Sequence, residues 1–202
     1  MRIERVESLD KRKCKVFTDE DFAFLLYNGE LEKYGVCEGA VLEERTEREL
    51  LDLLSRRAHE RALNLLKVQD RTEGEMCRRL FQDGYPDSIV QETIGFLQEY
   101  HFVDDARYAA NYLQVHGKRK SQAELKLYLQ RKGISREIIR EQLEETDHDS
   151  GEAIRVLLEK KHYRAGETAP EEEKKIIAYL MRRGFSWEDI RREMKEQEDA
   201  LS

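Results

Sequence analysis

The sequence predicts a mainly α protein, in which three tandem three-helix repeats follow a small N-terminal β-ribbon. Three observations carry this. Gly84, Gly133 and Gly184 stand 49 and 51 residues apart, and their surroundings repeat in kind. The 202 residues are 39% charged and 39% apolar with only 2 Pro, a balance that suits amphipathic helices around a thin core. The first 45 residues alternate with period two instead.

The ribbon is read from Ile3 to Leu9, Cys14 to Thr18 and Phe22 to Tyr27, with an Asp19-Glu20-Asp21 turn between the last two. Asn28 to Tyr34 then reads as one short helix ended by Gly35. Thr46 with Glu49 has the spacing of a capping box and should open the helical part. With no Pro- or Ser-rich linker between the regions, the ribbon is expected to pack on the first helices.

In each repeat the position four before the glycine is Leu80, Leu129 or Leu180, and eight before it stand Met76, Leu125 and Ile176. Those positions share one helical face, so this helix buries a stripe. The glycine takes the left-handed conformation that stops the helix. One residue after it come Tyr85, Ile134 and Phe185, and six after it Val90, Ile139 and Ile190. In the second and third copies that pair is a hydrophobic staple around an N-cap, Ser135 or Ser186, while Pro86 takes the place in the first.

The striped helix has its own start signal, Thr72 with Glu75 and Ser121 with Glu124. Thr168 with Glu171 lies one turn further upstream, which predicts a longer helix in the third copy. A further helix precedes each: Ala58 to Val68, Asp105 to Val115 with Asp104 as its N-cap, and Gly151 to Lys161. The units are therefore drawn as residues 1–45, 46–103, 104–147 and 148–202.

Composition also excludes. Apolar runs such as Phe22 to Tyr27 stay far short of the roughly 20 residues of a bilayer span, and no membrane association or signal segment is expected. Three widely spaced cysteines, Cys14, Cys37 and Cys77, point to a reducing, cytoplasmic compartment. The five histidines are scattered, and phosphate-loop, nucleophile-elbow and metal-ligand spacings are missing, so neither metal, cofactor nor enzymatic activity is expected.

Net charge is -7, yet Arg107 to Arg136 holds eight Lys or Arg against one acid, Glu124. Either this is a solvated face or it meets a partner. Lys118, Arg119, Lys120, Lys126, Arg131 and Lys132 are the contact candidates, joined by Arg182 and Arg183 at the corresponding turn of the third copy. The pairs Arg131-Lys132 and Arg182-Arg183 have an adequate reason in the helix C-terminal dipole. Lys118 to Lys120 precede the Ser121 N-cap, where that dipole disfavours cations, which makes them the stronger functional candidates. Trp187 should sit at a first helical position, half covered.

The run Ala62-Leu63-Asn64-Leu65-Leu66 with Arg71-Thr72 and Glu75, the link Phe102-Val103-Asp104-Asp105 with Arg107-Tyr108-Ala109, and the turns Arg131-Lys132-Gly133-Ile134 and Arg182-Arg183-Gly184-Phe185 together resemble the RecX family of regulatory proteins. The likeness covers nearly the whole chain. It implies a tandem-repeat monomer that binds RecA on DNA, lodges in the filament groove and restrains its extension or activity, with direct DNA contact through the basic patch of the second repeat. Gln82-Asp83 stands before Gly84 where the family has a basic pair, so that contact carries over to the second and third units only. The competing reading is a free-standing helix-turn-helix DNA binder. Against it, the third helices open with Asp87, Glu137, and Glu188 with Asp189, acids that would face phosphates.

Overall fold

The computed structural model describes residues 1–19, 23–146 and 148–199. Three strands come first, β1 Ile3–Ser8, β2 Lys13–Thr18 and β3 Ala23–Tyr27, followed by α1 Asn28–Tyr34, α2 Glu44–Leu66, α3 Glu73–Gln82 and α4 Asp87–Glu99. Then come α5 Asp105–His116, a 3-10 turn Gly117–Arg119, α6 Gln122–Lys132, α7 Arg136–Glu145, α8 Ser150–Lys160, α9 Pro170–Arg182 and α10 Trp187–Asp199. The chain divides into two compact units, Met1–Asp104 and Asp105–Ser202.

In the first unit the strands form an antiparallel sheet in the order β1-β2-β3. Alternation in β2 buries Cys14, Val16 and Thr18. Glu20, Asp21 and Phe22, and with them most of the expected Asp19-Glu20-Asp21 turn, lie outside the described residues. Ile3, Val16, Phe24 and Leu26 share one core with Leu50, Leu54, Ala58 and Ala62 of α2, Met76 and Leu80 of α3, and Val90, Ile94 and Leu97 of α4. The ribbon thus packs on the first helices, as expected. Gly35 closes α1 at φ +61°.

Two of the expected start signals are not used. The helix expected from Ala58 is the second half of α2, which is 23 residues long and begins at Glu44 with Glu43 in the N-cap position and no side-chain cap. Thr46 therefore lies inside the first turn and forms no box with Glu49. The physical reason is the unbroken four-residue rhythm Leu50, Leu54, Ala58, Ala62, which buries one stripe against ribbon and repeat alike. In α9 the N-cap is Ala169 and Pro170 occupies N1, where its missing N–H costs nothing. The Thr168 hydroxyl instead accepts from the Arg164 N–H at 2.8 Å, so Thr168 and Glu171 form no box either. The longer third-copy helix is present: α9 has 13 residues against 10 in α3 and 11 in α6.

Four other start signals hold. Thr72 with Glu75 and Ser121 with Glu124 both form complete capping boxes, and the Ser135 and Ser186 hydroxyls accept from the N–H groups of Ile138 and Asp189. Gly84, Gly133 and Gly184 have φ of +84°, +97° and +86°. Two of them are also tightly packed, because a Cβ on Gly84 would stand 2.4 Å from Leu25 and one on Gly184 2.7 Å from Ala123. The second unit holds one core for α5 to α7, built on Ala109, Leu113, Leu125, Leu129, Ile139 and Leu143. A second core, for α8 to α10, is built on Ile154, Leu158, Ile176, Leu180 and Ile190.

Candidate partner-binding surface

The basic segment begins where α5 ends. The backbone tightens into the 3-10 turn Gly117–Arg119, then extends through Lys120 to the Ser121 N-cap of α6. Lys118 and Arg119 are therefore also cations at the carboxyl end of a helix, where the dipole favours them. The sequence reading, which placed them only by their distance to the following N-cap, missed this.

The segment is braced by the third repeat. Ser121 donates its hydroxyl to the Arg183 carbonyl. The Arg183 guanidinium returns across the same gap, with Nε to Glu124 Oε1 at 2.9 Å, Nη2 to Glu124 Oε2 at 2.8 Å and Nη2 to the Arg119 carbonyl at 3.2 Å. The Glu124 carboxylate beside it holds the Arg183 guanidinium above its ordinary pKa. His148 Nε2 lies 3.1 and 3.0 Å from the carbonyls of Gly117 and Lys120, and Lys118 Nζ lies 3.0 Å from Glu152.

Behind the turn stands a tyrosine cluster. The rings of Tyr112 and Tyr128 stack at 4.0 Å with 4° between their planes, and the hydroxyls of Tyr128 and Tyr108 are 3.5 Å apart. Lys120 Nζ donates to the Tyr112 hydroxyl and lies over the rings of Tyr112 and Tyr128, at 5.0 and 5.4 Å. Lys132 Nζ sits 5.5 Å from the Tyr128 ring and 5.9 Å from the Tyr108 ring. Such ammonium–ring contacts hold two long side chains in place while leaving their charge. Burial and the hydrogen bond with Tyr128 push the Tyr108 phenol up to about 12. Burial, with the Lys120 and Arg119 charges, holds His116 below the usual imidazole value.

The candidates therefore separate by neighbourhood. Lys120 and Lys132 are anchored on tyrosines, and Lys126 donates to Gln122 on its own helix at 3.0 Å. Lys118, Arg119, Arg131 and Arg182 are exposed. Arg183, with its side chain only 22% exposed, joins the second repeat to the third. Trp187 opens α10 and is 46% exposed, with the Arg191 guanidinium 5.6 Å from its ring. Two of the scattered histidines have a backbone role that spacing did not reveal: His101 after α4 and His162 after α8 take φ of +55° and +56°.

A second braced site lies at the start of α8. Its N-cap Asp149 accepts from the N–H groups of Gly151 and Glu152, while Arg155 bridges Asp149 and the buried Glu193 of α10. Burial opposes ionisation of Asp149, but those two N–H groups and the Arg155 guanidinium outweigh it and hold the carboxyl below its usual value. A Cβ on Gly151 would stand 2.2 Å from the Glu193 carboxylate, which would have to shift to admit it. Among the described residues, no group of three or more His, Cys, Asp and Glu side chains is placed to hold a metal ion. No helix among them is long and apolar enough to cross a membrane.

Comparison with known proteins matches the same three triplets. Family models for the first, second and third three-helix domains of RecX match residues 58–97, 104–143 and 149–194. A regulatory protein RecX of Clostridium tetani is 32% identical over 134 residues, covering 64% of this chain and 62% of that protein. One from Clostridium acetobutylicum is 27% identical over 203 residues, covering 96% and 95%. A crystal structure of a regulatory protein RecX superposes with a TM-score of 0.61 at 22% identity, covering 93% of this chain and 96% of that one. With all three domains matched in order on the three helical triplets, this chain belongs to the RecX family of regulatory proteins.

Proposed function

We propose that this chain is a cytoplasmic, monomeric regulator that binds RecA and its nucleoprotein filament and inhibits filament extension, ATP hydrolysis and strand exchange. It acts by binding and modulates recombination and DNA repair. The observation that carries this reading is membership of the RecX family across all three domains. The basic segment around Lys118, Arg119 and Lys120, with Lys126, Arg131, Lys132 and Arg182, supplies a cationic surface on a chain of net charge -7. Bracing from the third repeat supports a preformed surface, which loses less entropy on binding. Repeats that each touch one RecA subunit gain avidity without any single strong contact.

The test is to follow RecA assembly on single-stranded DNA, and its ATP hydrolysis, while titrating this protein. Inhibition of both at stoichiometric levels is expected. Unchanged assembly and hydrolysis at micromolar excess over RecA would reject the proposal.

A further inference from the structure

The first unit carries an aromatic patch at the end of α4. There the backbone turns through His101 at φ +55°, and the Phe102 N–H donates to the Leu97 carbonyl at 2.8 Å. This reversal brings Phe102 back beside Tyr100, with ring centroids 6.4 Å apart and 26° between the planes. Phe96 lies 5.0 Å from Tyr100 and 6.3 Å from Phe102. These are contact distances, so the three rings form one cluster that presents faces and not a cavity. His59 of α2 stacks on Phe96 at 4.2 Å and fixes that ring. Tyr100 and Phe102 are 59% and 47% exposed, and a contiguous exposed aromatic patch marks an interaction surface.

The surrounding charges narrow what it takes. Helix α4 holds Asp87, Glu92 and Glu99 and contains no Lys or Arg. Glu92, Phe96 and Glu99 stand at i, i+4 and i+7, which places two carboxylates along the edge that carries the ring. Glu92 accepts from the Ser55 hydroxyl at 2.7 and 2.6 Å, a neutral donor that leaves its charge in place, and His59 Nε2 stands 3.7 Å away. Glu99 is exposed.

Two other exposed rings are already capped by the chain's own cations: Lys13 and Arg57 lie over Tyr27, and Arg191 lies over Trp187. Among the described residues no Lys or Arg lies over Phe96, Tyr100 or Phe102. Open ring faces attract a cation through their quadrupole, and carboxylates beside them add to that attraction. The same carboxylates repel phosphates, which disfavours stacking of nucleic-acid bases on the rings. We propose that the Phe96, Tyr100 and Phe102 patch, with Glu92 and Glu99 at its edge, docks a protein surface that presents an exposed lysine or arginine. The occupant is assigned to RecA, so the inference rests on the regulatory reading and adds to it a contact opposite in charge to the basic segment.

Affinity of the full chain for RecA filaments on single-stranded DNA, and separately for a bare fluorescein-labelled oligothymidylate, tests this. Changing Tyr100 and Phe102 together to Leu keeps most of the apolar area and removes the ring faces. That variant should bind filaments roughly tenfold more weakly and bind the oligonucleotide as the wild type does. Glu99→Lys should weaken filament binding about threefold or more, chiefly through slower association at low salt. If the Leu variant melts below the assay temperature, Glu99→Lys, at an exposed position, decides alone. Wild-type affinity for filaments in the decisive variant overturns the proposal and leaves the regulatory reading standing. A parallel loss of oligonucleotide binding assigns the rings to bases and also overturns it. No filament binding by the wild type overturns the regulatory reading, and the occupant with it.

Discussion

Arg183 grips Glu124 in a bidentate pair through Nε and Nη2 of its guanidinium, at 2.9 and 2.8 Å, and so joins residues 59 positions apart. The two side chains are 22% and 32% exposed, enough cover for a charge-assisted pair to matter and for a lone survivor to be costly. Arg183→Ala should therefore destabilise the protein by about 1 to 3 kcal/mol. Exposed Arg182→Ala should stay within about 0.5 kcal/mol. Chemical denaturation of both variants checks the contrast, and equal midpoints would show that Arg183 has no joining role.

Gly184 is constrained twice. Its φ is +86°, and an added Cβ would stand 2.7 Å from the Ala123 Cβ and 3.1 Å from the Ser121 hydroxyl. Gly184→Ala must accept backbone strain and push α6 away, so a loss of about 2 kcal/mol or more is expected. At Gly133 the φ of +97° alone predicts that Gly133→Val is worse than the same change in an exposed mid-helix site. Thermal melts of the variants test both, and a Gly184→Ala protein as stable as the wild type would reject the close approach.

The repeat was legible because each of its offsets has a local cause: an apolar stripe, a left-handed turn, a serine cap. What local pattern did not show was the long-range use of the same residues. Ser121 reads as an N-cap and is one, yet its hydroxyl also donates to the Arg183 carbonyl. Gly184 reads as a helix stop and is also a contact with Ala123. Thr46 and Thr168 read as caps from spacing alone, but an uninterrupted stripe in α2 and Pro170 in α9 decide those starts. For the basic surface, charge density was legible and neighbourhood was not, since Tyr108, Tyr112 and Tyr128 come together only when α5 packs on α6.

His162 ends α8 in a conformation that L residues adopt at a cost, φ +56°. Its N–H donates to the Glu159 carbonyl at 2.9 Å, a bond that any residue can make. His162→Gly should then stabilise the protein by about 0.5 to 1 kcal/mol, the relief of strain exceeding the added freedom of the unfolded chain. A lowered melting temperature would mean that the imidazole has a packing role that outweighs the strain.

Tyr108 links the cluster to pH. Burial and its bond with Tyr128 raise its folded pKa from 10.0 to about 12, so the folded state favours the neutral phenol. That contribution is fully present below pH 10 and is lost as pH rises from about 10 to about 12. Ultraviolet titration of the phenolate should show a late step that Tyr108→Phe removes, and denaturation at rising alkaline pH should show the loss of stability in the same window. Ionisation of all tyrosines near their ordinary value would contradict the buried cluster.

The basic turn calls for two variants, because its three cations have different neighbours. Lys118 is 71% exposed and pairs with Glu152, itself 40% exposed, a surface ion pair of ~0 to 1 kcal/mol. Arg119 is exposed and engages the fold through its carbonyl, which substitution preserves. Lys118→Ala with Arg119→Ala should thus leave folding nearly intact. Lys120→Ala removes an ammonium that touches two tyrosines and should cost about 0.5 to 2 kcal/mol, so a triple variant would mix stability with binding. With the double variant the comparison is clean. If these side chains meet phosphates, the salt slope of filament-associated binding should fall by ~0.7 to 0.9 per contact. If they meet acidic side chains of RecA, inhibition should weaken while affinity for bare DNA stays as it was. Wild-type behaviour in both assays at two salt concentrations would assign the pair to a solvated face, with the cationic work left to Arg131, Arg182 and the anchored lysines.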